Sequence, residues 1–427
     1  MILGVIADDM TGASDVALTL AHGGFSVTQV VENTESFAAY RESDVVVAAL
    51  KTRTAPAKEA VKSSLDACEK LLAAGAKQIL FKICSTFDST AEGNIGPVAD
   101  ALRQRLRAGA TIVCPAFPKN GRTVFQGHLF VGGTLLHESA MKDHPLTPMT
   151  DSSLIRLMSA QTKGQVGLLG MDSVSAGAAR VREALTAADE EGVSYLIADA
   201  ITDDHLINLA DGNQLRPLLI GGSGIALGLP GVFKRFGLGL SSHATKPIFR
   251  SQGRAVILAG SCSVATRRQI ARALAAELPG RKLEAIRLDQ DKSAIEEVCG
   301  WAIAQDPGKP VLIYASDVPE KVEHAQKSLG EIRASEVVEN ALGNIAKTLI
   351  SNGFDRLIVA GGETSGAVLK AISIKALRVG PEISPGVPWM YSAHGPSLAI
   401  ALKSGNFGGE EFFISAWEKL IENRKVH

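Results

Sequence analysis

The sequence has few cysteines, and their arrangement suggests neither a cross-linked nor a metal-binding fold. Five occur in 427 residues, at positions 68, 84, 114, 262 and 299, with no CxxC pair among them. No two histidines stand at the spacing of metal ligands. This pattern argues against a disulfide framework and against a structural zinc site.

Strong net charge and long apolar runs are also missing. The net charge is −1 at pH 7, so composition offers no basis for binding nucleic acid or an anionic membrane surface. The longest uncharged apolar stretch, 217–233, is interrupted by seven glycines and prolines, which argues against a membrane span. Met1 leads directly into an apolar strand pattern, which predicts no signal peptide and a cytoplasmic protein.

What the sequence does contain is a regular alternation of strand and helix patterns in two series. This alternation predicts an α/β fold with two domains, each a mostly parallel sheet flanked by helices. We predict a first domain at 1–239, an aperiodic linker at 240–253 and a second domain at 254–427. The predicted strands are 1–7, 26–31, 44–50, 78–81, 111–114, 166–169, 195–198, 255–259, 283–288, 310–315 and 356–360.

The stretch 4–25 carries two adjacent carboxylates between a strand and a helix. The strand pattern ends at Asp8 and Asp9, and the helix pattern begins near Thr11 and stops at Gly23. Ligands of open α/β sheets bind at the carboxyl ends of strands, so this turn is a candidate site. The alternative is that both acids are solvated loop residues.

Polar segments follow three further strands of the first half. KTRT at 51–54, KICSTFDST at 82–90 and PAFPKNGRT at 115–123 each stand where a predicted strand ends. Because the carboxyl ends of parallel strands meet at one edge, we predict that these segments share a rim with Asp8 and Asp9. Four histidines without metal spacing are expected to be structural residues or weak substrate contacts: His128, His137, His144 and His394.

The second half contains a glycine pair directly after a strand, in RLIVAGGETSG at 356–366. Backbone N–H groups at such a helix start can approach phosphate oxygens, because no Cβ atom obstructs them. The alternative is a tight turn that the glycines merely permit. No GxxxxGK[ST] motif occurs, and GGSGIALG at 221–228 does not match the dinucleotide GxGxxG spacing. We predict that the helix after this turn occupies 367–372.

As a set, these segments resemble the four-carbon acid sugar kinases, and most of all their 3-oxo-tetronate 4-kinase branch. The resemblance covers nearly the whole chain, although Met10 and Ser14 depart from the residues more usual in relatives. The matching motifs are IADDMTGASD (6–15), KTRT (51–54), STFDST (85–90), PAFPKNGRTVFQGHLFVGG (115–133), GGSG (221–224), AGGETSG (360–366), GPEISPGVPW (380–389) and ALKSGNFGG (401–409).

The resemblance implies transfer of phosphate from ATP to the terminal hydroxyl of a four-carbon acid sugar. The N-terminal domain would hold the sugar acid and the C-terminal domain the nucleotide. Asp9 or Asp8 is the candidate base for the attacking hydroxyl. The candidates for binding the sugar acid's carboxylate are Arg53, Lys82, Arg122 and the backbone of Gly222 and Ser223. The candidates for contacting ATP are Ser261, Gly361, Gly362, Glu363, Thr364 and Gly405.

Several alternatives stay open at this point. Each cation could instead form an ordinary surface salt bridge. Mg²⁺ is expected with ATP, but it keeps waters and binds phosphates, so no protein ligands are assigned to it. The expected substrate is 3-oxo-tetronate, with D-threonate or D-erythronate as the alternative, and a homo-oligomer is left open. A sugar-acid dehydrogenase is disfavoured by the missing GxGxxG motif, and a non-catalytic sugar-acid sensor is disfavoured by the absence of a DNA-binding segment.

Overall fold

The computed structural model describes residues 1–31, 36–143, 147–238, 253–317, 324 and 326–422. The chain divides into two compact units, 1–244 and 245–427. Both are built from strands and helices with mostly parallel pairing, so the predicted α/β class is confirmed. Of the predicted linker only Gly253 falls among the described residues, and His144 lies outside them. Within the described ranges, no helix is long and apolar enough to cross a membrane.

Eight strands of the first unit pair in parallel, in the order β2-β3-β1-β4-β11-β5-β10-β9. Strands β6, β7 and β8 form a separate antiparallel sheet. The strands are β1 (Leu3–Ala7), β2 (Val27–Val30), β3 (Val45–Ala49), β4 (Gln78–Lys82), β5 (Thr111–Cys114), β6 (Arg122–Phe125), β7 (His128–Val131), β8 (Thr134–Leu135), β9 (Gln165–Leu169), β10 (Val193–Ala198) and β11 (Leu218–Gly221).

Helices connect these strands and cover the sheet, which explains why central strands such as β1 and β3 are buried along their whole length. The first helix buries Ala13, Val16, Ala17 and Leu20 as one apolar stripe and ends at Gly23 as predicted. The helices are α1 (Met10–His22), α2 (Ala57–Ala73), α3 (Ile95–Leu106), α4 (Leu154–Gln161), α5 (Met171–Ser175), α6 (Ala178–Glu190), α7 (Asp203–Asn213) and α8 (Leu229–Arg235).

The strands of the second unit pair in the order β13-β14-β12-β15-β18-β17-β16. The first five are parallel, whereas β17 is antiparallel to both β18 and β16. The strands are β12 (Arg254–Ala259), β13 (Gly280–Lys282), β14 (Val311–Tyr314), β15 (Phe354–Ala360), β16 (Ala376–Ser384), β17 (Val387–Ser392) and β18 (Ala399–Lys403).

The helices of the second unit pack around these strands, and one face of the sheet is covered by a core that includes Ile257, Trp389 and Phe413. The helices are α9 (Val264–Ala275), α10 (Ala285–Gln290), α11 (Ala294–Ile303), α12 (Glu331–Ser351), α13 (Gly362–Ala371), α14 (Phe412–Ser415) and α15 (Glu418–Glu422).

Two sequence predictions in the second unit are wrong. The segment 283–288 is not a strand, because the short strand β13 ends at Lys282 and helix α10 begins at Ala285. Only Leu283 of that run is buried, whereas a central strand would bury nearly all of it. The helix predicted at 367–372 begins earlier, at Gly362, so the Gly-Glu-Thr-Ser segment forms its first turn.

The predicted rim of the first unit exists as an aligned edge. The last residues of five neighbouring parallel strands are in register, so the segments that follow them leave the sheet side by side. These aligned residues are Ala49, Ala7, Lys82, Gly221 and Cys114.

Candidate substrate and nucleotide sites

An arginine and two aspartates form a hydrogen-bonded cluster at the rim of the first unit. Arg53 Nε and Nη2 each donate to one oxygen of Asp8 at 2.9 Å, and Nη2 also donates to Asp9 Oδ1 at 2.6 Å. Asp88 Oδ2 lies 3.6 Å from Arg53 Nη1. One guanidinium therefore lies against three carboxylates, and the predicted residues Asp8, Asp9 and Arg53 are in contact.

The two adjacent aspartates occupy different environments. The side chain of Asp8 is 5% exposed, and burial raises its pKa in spite of the neighbouring Arg53. The side chain of Asp9 is 25% exposed. Burial alone would raise the pKa of Asp9, but Arg53, Lys82 and hydrogen bonds from Thr11 and Gly12 together lower it.

Asp9 is also the N-cap of helix α1. Its Oδ1 accepts the backbone N–H of Gly12 at 3.0 Å, and its Oδ2 accepts the hydroxyl of Thr11 at 2.8 Å. A Cβ on Gly12 would collide with both Asp9 Oδ1 and Lys82 Nζ. Only glycine fits here, because the helix start, the carboxylate and the ammonium share one small space.

Lys82, the last residue of β4, brings a second cation to this cluster. It is only 3% exposed, and its charge acts on both Asp8 and Asp9. Within the part of the chain that the structure describes, its ammonium donates no hydrogen bond to a protein acceptor, so its donors remain for a ligand.

The backbone fixes the loop that carries Arg53. The carbonyl oxygen of Asp8 accepts the N–H groups of Thr52 and Arg53 at 2.9 and 3.1 Å. Asn94 Nδ2 donates to the carbonyl oxygens of Thr52, Arg53 and Ala55 at 2.7, 3.3 and 2.9 Å. Asn94 thus holds the turn from inside and determines where the guanidinium lies.

Gly222 and Ser223 follow β11, between the ends of β4 and β5. Gly222 donates its N–H to Cys114 O at 3.1 Å, and a Cβ on Gly222 would lie 2.6 Å from Pro115 O. Ser223 Oγ is buried and has no hydrogen-bond partner among the described residues. The close approach of two backbones explains the glycine, and the serine hydroxyl is available for a bound group.

Arg122 stands apart from the cluster. It begins β6, and its Nη1 donates to Asn120 O. In the described ranges, no hydrogen bond joins it to Asp8, Asp9 or Arg53, and its Nε is buried without a partner. The structure therefore does not place Arg122 in contact with the other predicted residues.

The second unit contains a cavity of about 880 Å³ at the carboxyl ends of its parallel strands. One wall carries three large apolar side chains: Leu283 before α10, Ile286 on α10 and Val338 on α12. All six residues predicted to contact a nucleotide line this cavity: Ser261, Gly361, Gly362, Glu363, Thr364 and Gly405.

The amino end of helix α13 opens into the cavity. The first N–H groups of a helix have no partner within it, and here the first bond across the cap runs from Ser365 N to Gly361 O. Gly361 has a φ of 125°, a value that favours glycine. A Cβ on Gly362 would meet no other atom within 4 Å, so the space beside this backbone is open.

Comparison with protein families gives the two units distinct descriptions. Residues 3–229 match a sugar-binding N-terminal domain, and residues 256–413 match a nucleotide-binding C-terminal domain. A protein of Pseudomonas savastanoi pv. phaseolicola named 3-oxo-tetronate kinase is 48% identical, over 98% of this chain and 97% of that protein. One of the same name from Cupriavidus necator is 47% identical over the same shares. The chain belongs to the four-carbon acid sugar kinase family.

Solved structures with the fold of this kinase family are similar over nearly their whole length. A crystal structure from Salmonella typhimurium LT2, described provisionally as a tRNA synthase, has a TM-score of 0.87 and 42% identity, covering 97% of this chain and 98% of its own. A Haemophilus influenzae protein has a TM-score of 0.79 and 40% identity, covering 97% and 99%. The curated Salmonella relative at 42% identity carries the name 3-oxo-tetronate kinase.

Three residues in this member of the kinase family were missed by sequence analysis. Asp88 lies beside Arg53 with a φ of 52°, in the left-handed region, and Asn94 pins the Arg53 loop. Lys403 is fully buried beneath Gly405. The family-like segment STFDST contains Asp88, but burial of the other two depends on packing between segments distant in sequence.

Proposed function

We propose that the protein transfers the terminal phosphate of ATP to the 4-hydroxyl of 3-oxo-tetronate, forming 3-oxo-tetronate 4-phosphate. The observation that carries this proposal is the placement of all six predicted nucleotide residues on one cavity, in a chain whose near full-length relatives are named 3-oxo-tetronate kinase. It is an ATP-dependent phosphotransferase with an alcohol group as acceptor.

The sugar acid binds in the domain at 1–239 and the nucleotide in the domain at 254–427, joined by a linker at 240–253. The family descriptions of the two halves support this division. In the first domain, Arg53 and Lys82 supply positive charge to the substrate carboxylate, and Gly222 and Ser223 supply polar groups beside them. Arg122 contributes to binding the substrate carboxylate only if its guanidinium turns away from the carbonyl oxygen of Asn120.

Asp9 is the base that accepts the proton of the attacking hydroxyl, and Asp8 orients Arg53. The exposures of the two side chains favour this assignment of roles, because Asp9 is accessible to a substrate whereas Asp8 is enclosed by the guanidinium. The lowered pKa of Asp9 keeps its carboxylate ionised at neutral pH, and a base must be in this form before it can accept a proton.

The triphosphate of ATP lies against the amino end of α13, where backbone N–H groups and the helix dipole favour anions. The apolar side chains of Leu283, Ile286 and Val338 on the cavity wall suit the adenine ring. In the described ranges, no cluster of three or more His, Cys, Asp or Glu residues forms a metal cage. Mg²⁺ bound to the ATP phosphates would offset the charge of the transferring group.

A coupled assay of ADP release, run over 3-oxo-tetronate, D-threonate and D-erythronate, tests the proposal. We expect turnover of 3-oxo-tetronate and poor turnover of the other two. Turnover of D-threonate or D-erythronate far above that of the 3-oxo acid would assign the protein to a sister activity. If no tetronate releases ADP, the kinase assignment is wrong, and parallel titrations with NAD and tetronates would then distinguish a dehydrogenase from a sensor.

A further inference from the structure

Lys403 is a buried cation held by neutral groups alone. It ends strand β18, is 0% exposed, and donates to Thr266 Oγ1 at 3.1 Å and to the carbonyl oxygens of Ser404 and Gly405 at 3.0 Å each. All three ammonium protons are thereby directed at protein acceptors, and none of these acceptors carries a charge.

No carboxylate of the described residues pairs with Lys403. On α9, Arg267 donates to the carbonyl oxygens of Cys262 and Asp317. Glu363 on α13 is exposed at the cavity, and the thiol of Cys262 is half-buried there. Other charged groups of this unit form ion pairs with one another: Arg268 with Glu410, Arg272 with Glu411, Lys282 with Asp317, and Arg356 with Asp355 on the neighbouring strand β15.

Burial without a counter-charge penalises the ionised form of an amine. It lowers the pKa of Lys403 to about 8. The missing negative charge needs an explanation, because burying this lysine would cost less free energy if a carboxylate lay beside it.

The ammonium lies directly under the cavity lining. Gly405 O accepts Lys403 Nζ, Ser263 Oγ at 2.6 Å and Thr266 Oγ1 at 2.9 Å, so three donors hold one carbonyl. Gly405 itself lines the cavity, and the backbone N–H of Gly361 donates to Lys403 O at 2.8 Å. Lys403 thus contacts both glycine turns that face the proposed phosphate site, Gly405 through its ammonium and Gly361 through its backbone carbonyl.

We propose that Lys403 obtains its counter-charge from the nucleotide phosphates, so that nucleotide binding favours the protonated lysine and takes up a proton when the solution is alkaline. This inference rests on the proposed nucleotide site and adds a positioning residue to it. Lys403 does not touch the phosphates; it holds the Gly405 turn and contributes its charge through it.

The linkage gives definite magnitudes. With a pKa of about 8 in the free protein and a pKa restored to the ordinary lysine value in the complex, binding should take up about 0.9 proton at pH 9 and about 0.1 at pH 7. The Kd should rise about tenfold between pH 7 and pH 9, because the neutral lysine must be protonated before the complex forms.

The experiment is calorimetric titration of the full chain with ADP at pH 7 and pH 9, in two buffers of different ionisation enthalpy. The dependence of the measured heat on buffer enthalpy gives the number of protons taken up. Adenosine, which lacks phosphate, is the ligand control. All titrations use the Cys262→Ser background, so that the described lining of the cavity contains no thiol.

Two variants separate charge from loop positioning. Lys403→Met keeps the length of the side chain and removes the charge. Gln269 holds the same loop without charge, since its Nε2 donates to the carbonyl oxygens of Phe407, Gly408 and Gly409 at 2.9–3.0 Å. Gln269→Met therefore loosens the loop and leaves Lys403 in place.

We expect ADP, but not adenosine, to take up a proton at pH 9, and we expect this uptake to vanish in Lys403→Met and to persist in Gln269→Met. ADP binding at pH 9 without proton uptake in the background protein would overturn the inference even if Lys403→Met fails to fold. Undiminished uptake in Lys403→Met would also overturn it. Failure of ADP to bind at pH 7 would refute the nucleotide site itself, and the inference with it.

Discussion

Replacing Asp9 by asparagine tests whether the cluster at the rim does chemistry or only starts a helix. Asparagine keeps an oxygen that can accept the Gly12 N–H, and asparagine and aspartate are comparable N-caps. The amide nitrogen faces the Thr11 hydroxyl, which can turn and accept instead of donate. The shape and the helix cap therefore survive, whereas the negative charge and the proton acceptor are lost.

The structural cost of this change is small. A hydrogen bond to an ionised group contributes about 1.5–3 kcal/mol and a neutral one about 0.5–1.5, so weakening the 2.6 Å contact with Arg53 should cost about 1 kcal/mol of unfolding free energy. If Asp9 is the base, kcat should fall about 10²–10⁴-fold, or about 3–5.5 kcal/mol in the barrier. The expected rise in the activation barrier is therefore larger than the expected loss of unfolding free energy.

Steady-state kinetics of ADP release, with urea unfolding as the stability measurement, distinguish the possible roles. Asp9→Ser is the matched control, because serine is also a good N-cap but its shorter side chain has no carboxylate that could act as the base. We expect both variants to lose kcat and to keep the KM for ATP. A larger rise in the sugar-acid KM than fall in kcat would mean that Asp9 orients hydroxyls. Near-normal kinetics in both variants would refute the catalytic role and reduce Asp9 to a helix cap.

Three further perturbations test the remaining parts of the sites. Gly362→Val places a branched side chain in open cavity space, so it should raise the ATP KM sharply without loss of stability, whereas Gly361→Val, at a φ of 125°, should destabilise the fold as measured by thermal unfolding. Arg53→Met leaves Asp8 buried without its partner and should cost about 3–5 kcal/mol at pH 7 in urea titrations. Because the pKa of Asp8 is already raised, lowering the pH toward 5 should protonate it and recover part of that loss; unchanged stability at pH 7 would show that the pair is not buried in solution. Asn94→Asp turns a carboxylate toward three carbonyl oxygens of the Arg53 loop and should raise the sugar-acid KM while the ATP KM stays constant; equal changes in both would contradict a local role.

The sequence was informative wherever a strand runs straight into a polar or glycine-rich segment. The edge that gathers Asp8, Arg53 and Lys82 follows from parallel pairing alone, because aligned strand ends bring together segments that are distant in the chain. The glycines before α13 were found in the same way. In both places the local pattern and the tertiary packing favour the same structure.

Other features could not be predicted from the hydrophobic periodicity of the sequence. The run at 283–288 is apolar enough for a strand, but β13 ends at Lys282, and most of the run belongs to α10 and lines the cavity. The β16–β17 hairpin was missed because glycine and proline interrupt its strands. Lys403 gives no sign of burial in the sequence, since a lysine before a glycine loop is ordinarily solvated, and only the packing of α9 beside β18 encloses it.

The position of β11 has a consequence for synthesis on the ribosome. This strand lies between β4 and β5 and pairs with both, yet it is the last of the first unit's strands to be made. Until residues 218–221 emerge, the chain holds two partial sheets, β2-β3-β1-β4 and β5-β10-β9, whose future central edges are unpaired. Such edges are templates for pairing with other chains, and non-local closure is slow. Nascent chains stalled before β11 should therefore be the aggregation-prone species. Once β11 is made, it pairs with β4 and β5 and removes both unpaired edges.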